Sequence, residues 1–436
     1  NNIITDTKKL LKSKLYSWQK LKAFKFIIFP RLIFPFRTRE VKINSICSSQ
    51  NEKTNNINFT TKLRSLLREM RNLQSNSELC YLYTSILDGG VGLHDLHDEY
   101  CLQTIVQIFR LVNSKCEYSK RIIRDSLCFV ASTRLGSQNP TLSDCLEWLN
   151  GKDSIISSSS KKTWFIRVRN AIHYFKNTLH ILLSFEMIEN CIALRITSDK
   201  RGTCILRSTN LKQCSKTLHT FIQDFYLQES ENSKNSNIRS DAFRLSPNLN
   251  KILYRGKIGT FAWNFIHQAR CNSLSLNAHP MNKTVESRLC RRCHSDEENV
   301  LHVLQTCNFV KTLSRYRHDA CIKLVVDALS SSNLIIRVDK ICPFISESKE
   351  RIDLMITNVE NKTIHLVDMK CPLDSTKSFE TIDKDNIAKY STLKAKLKQA
   401  KPDYDIFVYT CIIGSLGSVP ETTYRTLEFI GIKSFK

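Results

Sequence analysis

The chain has 436 residues, room for two to four domains with cores of their own. Lysine and arginine outnumber aspartate and glutamate by 65 to 41, and the resulting net charge of +24 is spread over most of the chain, which favours a polyanionic partner, most simply nucleic acid. The 17 cysteines stand mostly singly in apolar segments with no signal peptide before them, which argues against a secreted disulfide framework and for a reducing cytosolic or nuclear compartment.

Residues 1–45 read as a basic helical segment in which Lys8, Lys9, Lys12, Lys14, Lys20, Lys22 and Lys25 interleave with Leu10, Leu15, Trp18, Leu21 and Phe24. Pro30 and Pro35 end or kink it. Basic side chains beside aromatic ones suit phosphate contact and base stacking, and a solvated lysine face fits the same pattern. The apolar run Phe24 to Phe36 is broken at Pro30-Arg31 and is too short to span a bilayer.

Residues 46–58 read as a Ser/Asn-rich loop, and Phe59 to Leu73 as a second basic helix with Leu63, Leu66, Leu67 and Met70 on one face. Asp88-Gly89-Gly90-Val91-Gly92-Leu93 predicts a tight turn. It lacks the lysine and serine or threonine of a nucleotide-binding loop. Residues 94–150 are helical in pattern, Ser154 to Ser160 reads as a linker, and Lys161 through Phe185 as a helix. Asn190 to Leu206 carries more β-branched residues and suits strands, while Glu229 to Asn250, rich in Ser and Asn, is the best interdomain boundary. Gly256 to Cys271 follows as an aromatic and basic run.

Cys290 and Cys293 have Cys-x-x-Cys spacing, with eight residues on to His302 and four more to Cys307. A Cys-x-x-Cys turn presents two thiolates to one metal. His302 and Cys307 close a tetrahedron if a turn or helix break falls between them, and His294 competes with His302 as the imidazole. Three sulfurs and one imidazole suit Zn²⁺. Arg288, Arg291 and Arg292 around them suggest a nucleic-acid-binding knuckle.

Arg351-Ile352-Asp353 precedes an apolar run, Asn358 to Lys362 forms a polar turn, and a second apolar run leads to Asp368-Met369-Lys370. The spacing predicts a hairpin with Asp353 and Asp368 near one strand edge, a pair able to hold Mg²⁺. Lys370 falls on the same strand face as Asp368 because side chains alternate with period two, and it could orient a water or offset charge on a phosphate.

The aromatic-basic run, the Cys-Cys-His-Cys cluster, Arg315-Tyr316-Arg317-His318, Asp353, Asp368 and Lys389-Tyr390 come in an order that resembles one family. It is the carboxy-terminal half of the polyprotein of non-LTR (LINE) retrotransposons with a restriction-like endonuclease, in particular the clade inserting into ribosomal RNA genes. Gln19-Lys20 through Pro30-Arg31 resembles the start of that family's thumb, and Gly89-Gly90-Val91-Gly92 its glycine turn. The resemblance is densest from Cys290 to Tyr409 and weakest between residues 100 and 250.

The resemblance implies zinc on Cys290, Cys293, His302 and Cys307, catalytic Mg²⁺ on Asp353 and Asp368, and a Lys389-Tyr390 pair beside the active site on a helix from Asn386 to Gln399. Wider restriction-type nucleases put the lysine where Lys370 stands, so two candidate lysines remain. It also implies nucleic-acid contacts by Lys20, Lys22, Arg31, Arg288, Arg291, Arg292, Arg315 and Arg317. Two features depart from the family: isoleucine stands where its Lys/Arg-Pro-Asp has proline, and there is no Asp-Asp dipeptide to hold polymerase metals.

The expected architecture is multidomain. Residues 1–150 form a mostly α, thumb-like nucleic-acid-binding region, and 151–310 a linker region ending in the zinc knuckle at 290–307. Residues 311–436 form an α/β restriction-like (PD-(D/E)xK type) nuclease. The chain reads as a fragment without the polymerase palm. The resemblance implies that it nicks target DNA to prime reverse transcription of element RNA, working with the missing amino-terminal part of the polyprotein, in the nucleus after cytoplasmic synthesis. The rivals are a catalytically dead nucleic-acid-binding remnant and a zinc-binding interaction protein.

Overall fold

The computed structural model describes residues 2–38, 59–70, 73, 79–152, 163–189, 191–232, 240–255, 258–279, 286–329, 334–344 and 351–432. The loop and linker expected at 46–58 and 154–160 lie outside these residues. The chain divides into two compact units, one running to Asn232 and the other from Ser233 to Lys436, with Arg71–Ser77 and Ile86–Gly89 belonging to the second.

In the first unit the basic amino-terminal segment is several short pieces rather than one helix. They are α1 (Asn2–Lys12), α2 (Ser17–Ala23), a π turn at Phe24–Ile28, a 3-10 turn at Phe29–Leu32 and α3 (Ile33–Thr38). Pro30 explains the irregular middle, since its ring excludes a regular helix there. Then come α4 (Phe59–Glu69), α5 (Leu79–Tyr83), α6 (Leu96–Val112), α7 (Glu117–Leu135), α8 (Leu142–Leu149) and α9 (Trp164–Thr178). Helix α6 is the hub: Leu102, Ile105, Val106, Ile108 and Phe109 are wholly buried. Full burial of each contributes roughly 1.5–3 kcal/mol.

The helix expected to run through Phe185 stops at Thr178, and β1 (Leu182–Ile188) begins four residues on. His180 adopts a positive φ of 54°, which ends the helix. Beyond it the apolar period changes from helical to alternating, with Leu183 and Phe185 inward. β1, β2 (Cys191–Ser198) and β3 (Gly202–Leu206) form an antiparallel meander, followed by α10 (Cys214–Asn232). Residues 163–232 are therefore part of the first compact unit, not a linker. Their alternating strands and buried helix face carry enough apolar surface to join a core.

The second unit holds α11 (Pro247–Ile252), α12 (Thr260–Arg270), the Cys290–Cys307 segment and α13 (Lys311–Leu329). Next come β4 (Leu334–Ile341), β5 (Arg351–Asn358), β6 (Thr363–Lys370), α14 (Thr376–Lys389), α15 (Ser391–Ala400), β7 (Asp405–Ile412) and α16 (Glu421–Phe429). The sheet order is β4-β5-β6-β7, antiparallel up to β6 and parallel between β6 and β7. A parallel neighbour needs a crossover, which α14 and α15 supply. Leu354, Ile356, Val367 and Met369 pack with Ile322, Val325 and Leu329 of α13 and Leu427 of α16. Ile352, Met355, Ile364, Leu366 and Ile406 pack with Tyr390, Leu393 and Leu397. Both faces are covered, so the central strands read as nearly continuous apolar runs.

Residues 240–255, 258–279 and 286–310 likewise belong to the second compact unit and are not a linker. Arg270 is buried, lies over the Phe243 ring at 4.4 Å, and donates to Leu416 O at 3.1 and 2.8 Å and to Asn250 Oδ1 at 2.9 Å. Phe243, Ala269, Val300 and Leu416 share one apolar core. Basic and aromatic residues around 256–271 thus serve packing as well as surface charge. Among the described residues, no helix is long and apolar enough to cross a membrane.

Candidate active site and metal centre

Strands β5 and β6 pair from Asn358↔Thr363 to Leu354↔Val367 and then part. Asp353 stands at this fork. Its Oδ2 accepts the Met369 N–H at 2.8 Å, standing in for the ladder bond that the fork loses. His318 of α13 approaches the same oxygen, with Nε2 at 3.2 Å. Burial alone would lower the His318 pKa, but its hydrogen bond to Asp319 and the nearby Asp353 charge outweigh that and hold it above the ordinary value.

Asp368, one residue from Met369, is buried at 2% exposure. Each of its oxygens meets a different cation. Lys370 Nζ lies 2.5 Å from Oδ2, and Lys389 Nζ lies 3.8 Å from Oδ1. The Tyr390 hydroxyl donates to Oδ1 at 2.9 Å and accepts from Lys389 Nζ at 2.9 Å. Lys370 holds Oδ2 as an ion pair, and among the described residues Oδ2 accepts no hydrogen bond. The two candidate lysines are therefore both at the carboxylate, one on each side.

The expected helix from Asn386 to Gln399 is two helices. α14 ends at Lys389, and Tyr390 takes φ −91°, ψ 4° before α15 starts. No glycine or proline marks the break. It coincides with the buried Tyr390 ring and its hydroxyl on Asp368.

Three thiols and one imidazole gather in a second place. The ligand atoms of Cys290, Cys293, His302 and Cys307 lie within 4.8 Å of one another. Cys290 Sγ is 3.9 Å from Cys307 Sγ, and Cys293 Sγ is 3.2 Å from His302 Nε2. The Ser295 N–H, with that of Asp296, holds the Cys293 thiol down to about 6. The turn needed between His302 and Cys307 is a π turn over His302–Thr306, after which Cys307 is extended. His294 has φ 55° and lies outside the cluster, so His302 is the imidazole. This is a Cys₃His arrangement able to hold a metal ion.

The basic residues singled out divide by partner. Lys20 donates to Leu11 O at 2.7 Å, Arg31 pairs with Asp6 at 2.6 Å, and Arg288 pairs with Glu297 at 2.8 Å. Arg291 pairs with Glu298 at 2.9 Å, and Arg317 donates to the Leu304 and Cys371 carbonyls at 3.4 and 3.3 Å. Arg317 acts with Gln305, which donates to Cys371 O at 3.0 Å, to tie the π turn to the end of β6. Lys22 lies over Trp18 at 5.0 Å. Arg292 and Arg315 are exposed. Sequence reasoning gave His318 and Gln305 no role, because each acts through a contact distant in sequence that no local spacing announces.

Residues 102–273 match the family of the T26G10.4 domain, a name that specifies no chemistry. The match ends before the Cys₃His cluster and the carboxylate fork. No curated protein matches the chain.

Proposed function

We propose that this chain is the carboxy-terminal part of a non-LTR retrotransposon polyprotein of the restriction-like-endonuclease type. Its second unit nicks target DNA by metal-assisted phosphodiester hydrolysis, and the freed 3′ end primes reverse transcription. The observation that carries this reading is the buried Asp368 carboxylate, which meets Lys370, Lys389 and Tyr390 one residue from the Met369 N–H that Asp353 accepts. The order of helix, three strands, crossover helices and parallel strand suits a PD-(D/E)xK-type nuclease.

Asp353 and Asp368 offer carboxylate oxygens, the donors that hold a hard cation, and the lysines at Asp368 show that its buried charge already draws cations. Asp353 and Asp368 would hold Mg²⁺, and the ion supplies Lewis acidity to a phosphate oxygen and to a water. Tyr390 fixes the plane of the Asp368 carboxylate, and His318 with the Met369 N–H fixes Asp353. Lys370 and Lys389 offset the negative charge that grows on the phosphate.

The Cys₃His cluster reads as a zinc knuckle, since three thiolates and an imidazole are a donor set for Zn²⁺. The first unit reads as the thumb-like grip on a nucleic-acid duplex, with target DNA and element RNA as partners. The polymerase palm belongs to the upstream part of the polyprotein, and the reading puts the site of action in the nucleus.

The test is nicking of supercoiled DNA with Mg²⁺ or Mn²⁺ by the parent and by Asp368→Ala, Lys370→Ala and Lys389→Ala. Nicking by the parent and none by Asp368→Ala supports the reading, and the lysine variants rank the two candidates. DNA binding without nicking by any form would replace it with a nucleic-acid-binding remnant. Absence of salt-sensitive binding as well would leave a zinc-binding interaction protein.

A further inference from the structure

We propose that His94, Glu99 and His219 form a second metal site, within the first unit, that takes a zinc-class transition-metal cation. His94 directly precedes Asp95, the N-cap of α6; Glu99 lies on the first turns of α6, and His219 on the second turn of α10. Their ligand atoms lie within 4.8 Å of one another. His219 Nε2 is 2.7 Å from Glu99 Oε2, and the His94 and His219 ring centroids are 4.2 Å apart.

A plain histidine–glutamate ion pair explains only part of this. Glu99 is 1% exposed, and buried charges are held by a partner or a metal. His219 meets one oxygen, and Gln103 Nε2 donates to the other at 2.6 Å, which fixes the carboxylate. His94 is then a second imidazole turned to the same place with no hydrogen-bond partner for its ring nitrogens among the described residues. Phe29 packs against it at 5.9 Å. Asp98 is not a further ligand, because Tyr174 and Tyr226 donate to its two oxygens at 2.7 and 2.6 Å.

Two imidazoles and a carboxylate suit zinc and its neighbours rather than Mg²⁺ or Ca²⁺, which prefer all-oxygen shells. Bonds of about 2.0–2.1 Å in a tetrahedron separate ligand atoms by roughly 3.3 Å. The His219–Glu99 contact therefore opens by about half an ångström as the cation replaces it. Three protein ligands leave a fourth position. It opens on a concavity lined by Tyr83, Asp98, Gln223 and Tyr226, where a water would complete the shell.

Cobalt titration of the full chain tests the site, because Co²⁺ in the Cys₃His set gives a strong thiolate charge-transfer band and Co²⁺ on nitrogen and oxygen does not. The parent is expected to bind a further equivalent after the thiolate band saturates. That equivalent persists in Asp368→Asn and is lost in Glu99→Gln and in His94→Ala, with the thiolate band unchanged. Glu99→Gln preserves side-chain size, so it reports on the site even where His94→Ala fails to fold. A parent with no further equivalent overturns the proposal. So does one whose further equivalent survives Glu99→Gln or disappears with Asp368→Asn.

Discussion

Two places in the second unit gather ionisable side chains, and they are built in opposite ways. The cysteine cluster takes four ligands from one short segment and buries three of them, Cys290, His302 and Cys307. At the fork between β5 and β6, Asp368 meets two lysines and a tyrosine, while Asp353 on the neighbouring strand meets a backbone N–H and His318. Four protein ligands can close a coordination shell and stabilise a fold, whereas on the proposed nuclease reading two carboxylates leave positions for water and a phosphate. That reading separates stability from chemistry within one unit, and each can be removed while the other is watched.

The largest effect falls on the closed site. Cys290→Ser should lower the stability of the second unit by several kcal/mol, a part of the on-the-order-of-10 kcal/mol that structural zinc contributes to small modules. Calorimetry should show the lower-stability transition, and a chelator should reproduce it in the parent. An unchanged transition would remove the cluster from any role in folding.

The open site should behave in reverse. Asp368→Asn is expected to lower nicking by at least about 10²–10³-fold, the scale on which one electrostatic partner at a reacting oxygen counts. Its unfolding midpoint should hold or rise, because the buried charge is gone while Lys370 and Lys389, about half exposed, keep their hydration. A collapse in stability with the loss of nicking would mean that the fork is a structural ion cluster.

Legibility in the sequence follows the same division. The closed site sits within Cys290–Cys307 and is visible as spacing, down to the need for a break between His302 and Cys307. The fork is visible because strand side chains alternate, which puts Lys370 beside Asp368. What was not legible depends on contacts distant in sequence. His318 reaches Asp353 from α13, and Tyr390 breaks a helix whose composition favours continuity. Arg270, one basic residue in an aromatic run, is buried and donates to the Leu416 carbonyl, a role its position in the run does not announce. Within 163–232 the helix and strands were legible, but the helix end was not, because the positive φ that ends it at His180 lies on a residue type that does not require it.

A moderate effect is expected where the fork is braced from behind. A Cβ at Gly414 would stand 2.3 Å from Asp374 Oδ1, so Gly414→Ala should cost about 1–3 kcal/mol and lower nicking by displacing the loop that follows β7. Asp374 accepts the Leu416 and Ser418 N–H groups, yet burial holds its carboxyl above the ordinary value. A raised carboxyl keeps its proton longer in the folded state. Its favourable contribution is complete below the unfolded pKa and is lost as pH rises through the folded one. Asp374→Asn should therefore flatten the decline of stability on going from acidic to neutral pH, measured as the difference from the parent at each pH.

The smallest effects sharpen the contrast at the rim of the closed site. Arg288 and Arg291 are tied to Glu297 and Glu298, whereas Arg292 and Arg315 are exposed and, among the described residues, form no side-chain ion pair. A cation that already has a carboxylate must give up that partner to meet a phosphate. Arg292→Ala and Arg315→Ala should each weaken DNA binding uniformly across sequences and reduce the salt slope by about one. Arg288→Ala should shift the slope less and change stability by only about 0–1 kcal/mol, as exposed pairs do. Binding isotherms at several salt concentrations separate the two groups. If the paired arginines prove the stronger contributors, Glu297 and Glu298 release them on binding, and the rim of the cluster is a switchable contact instead of a fixed one.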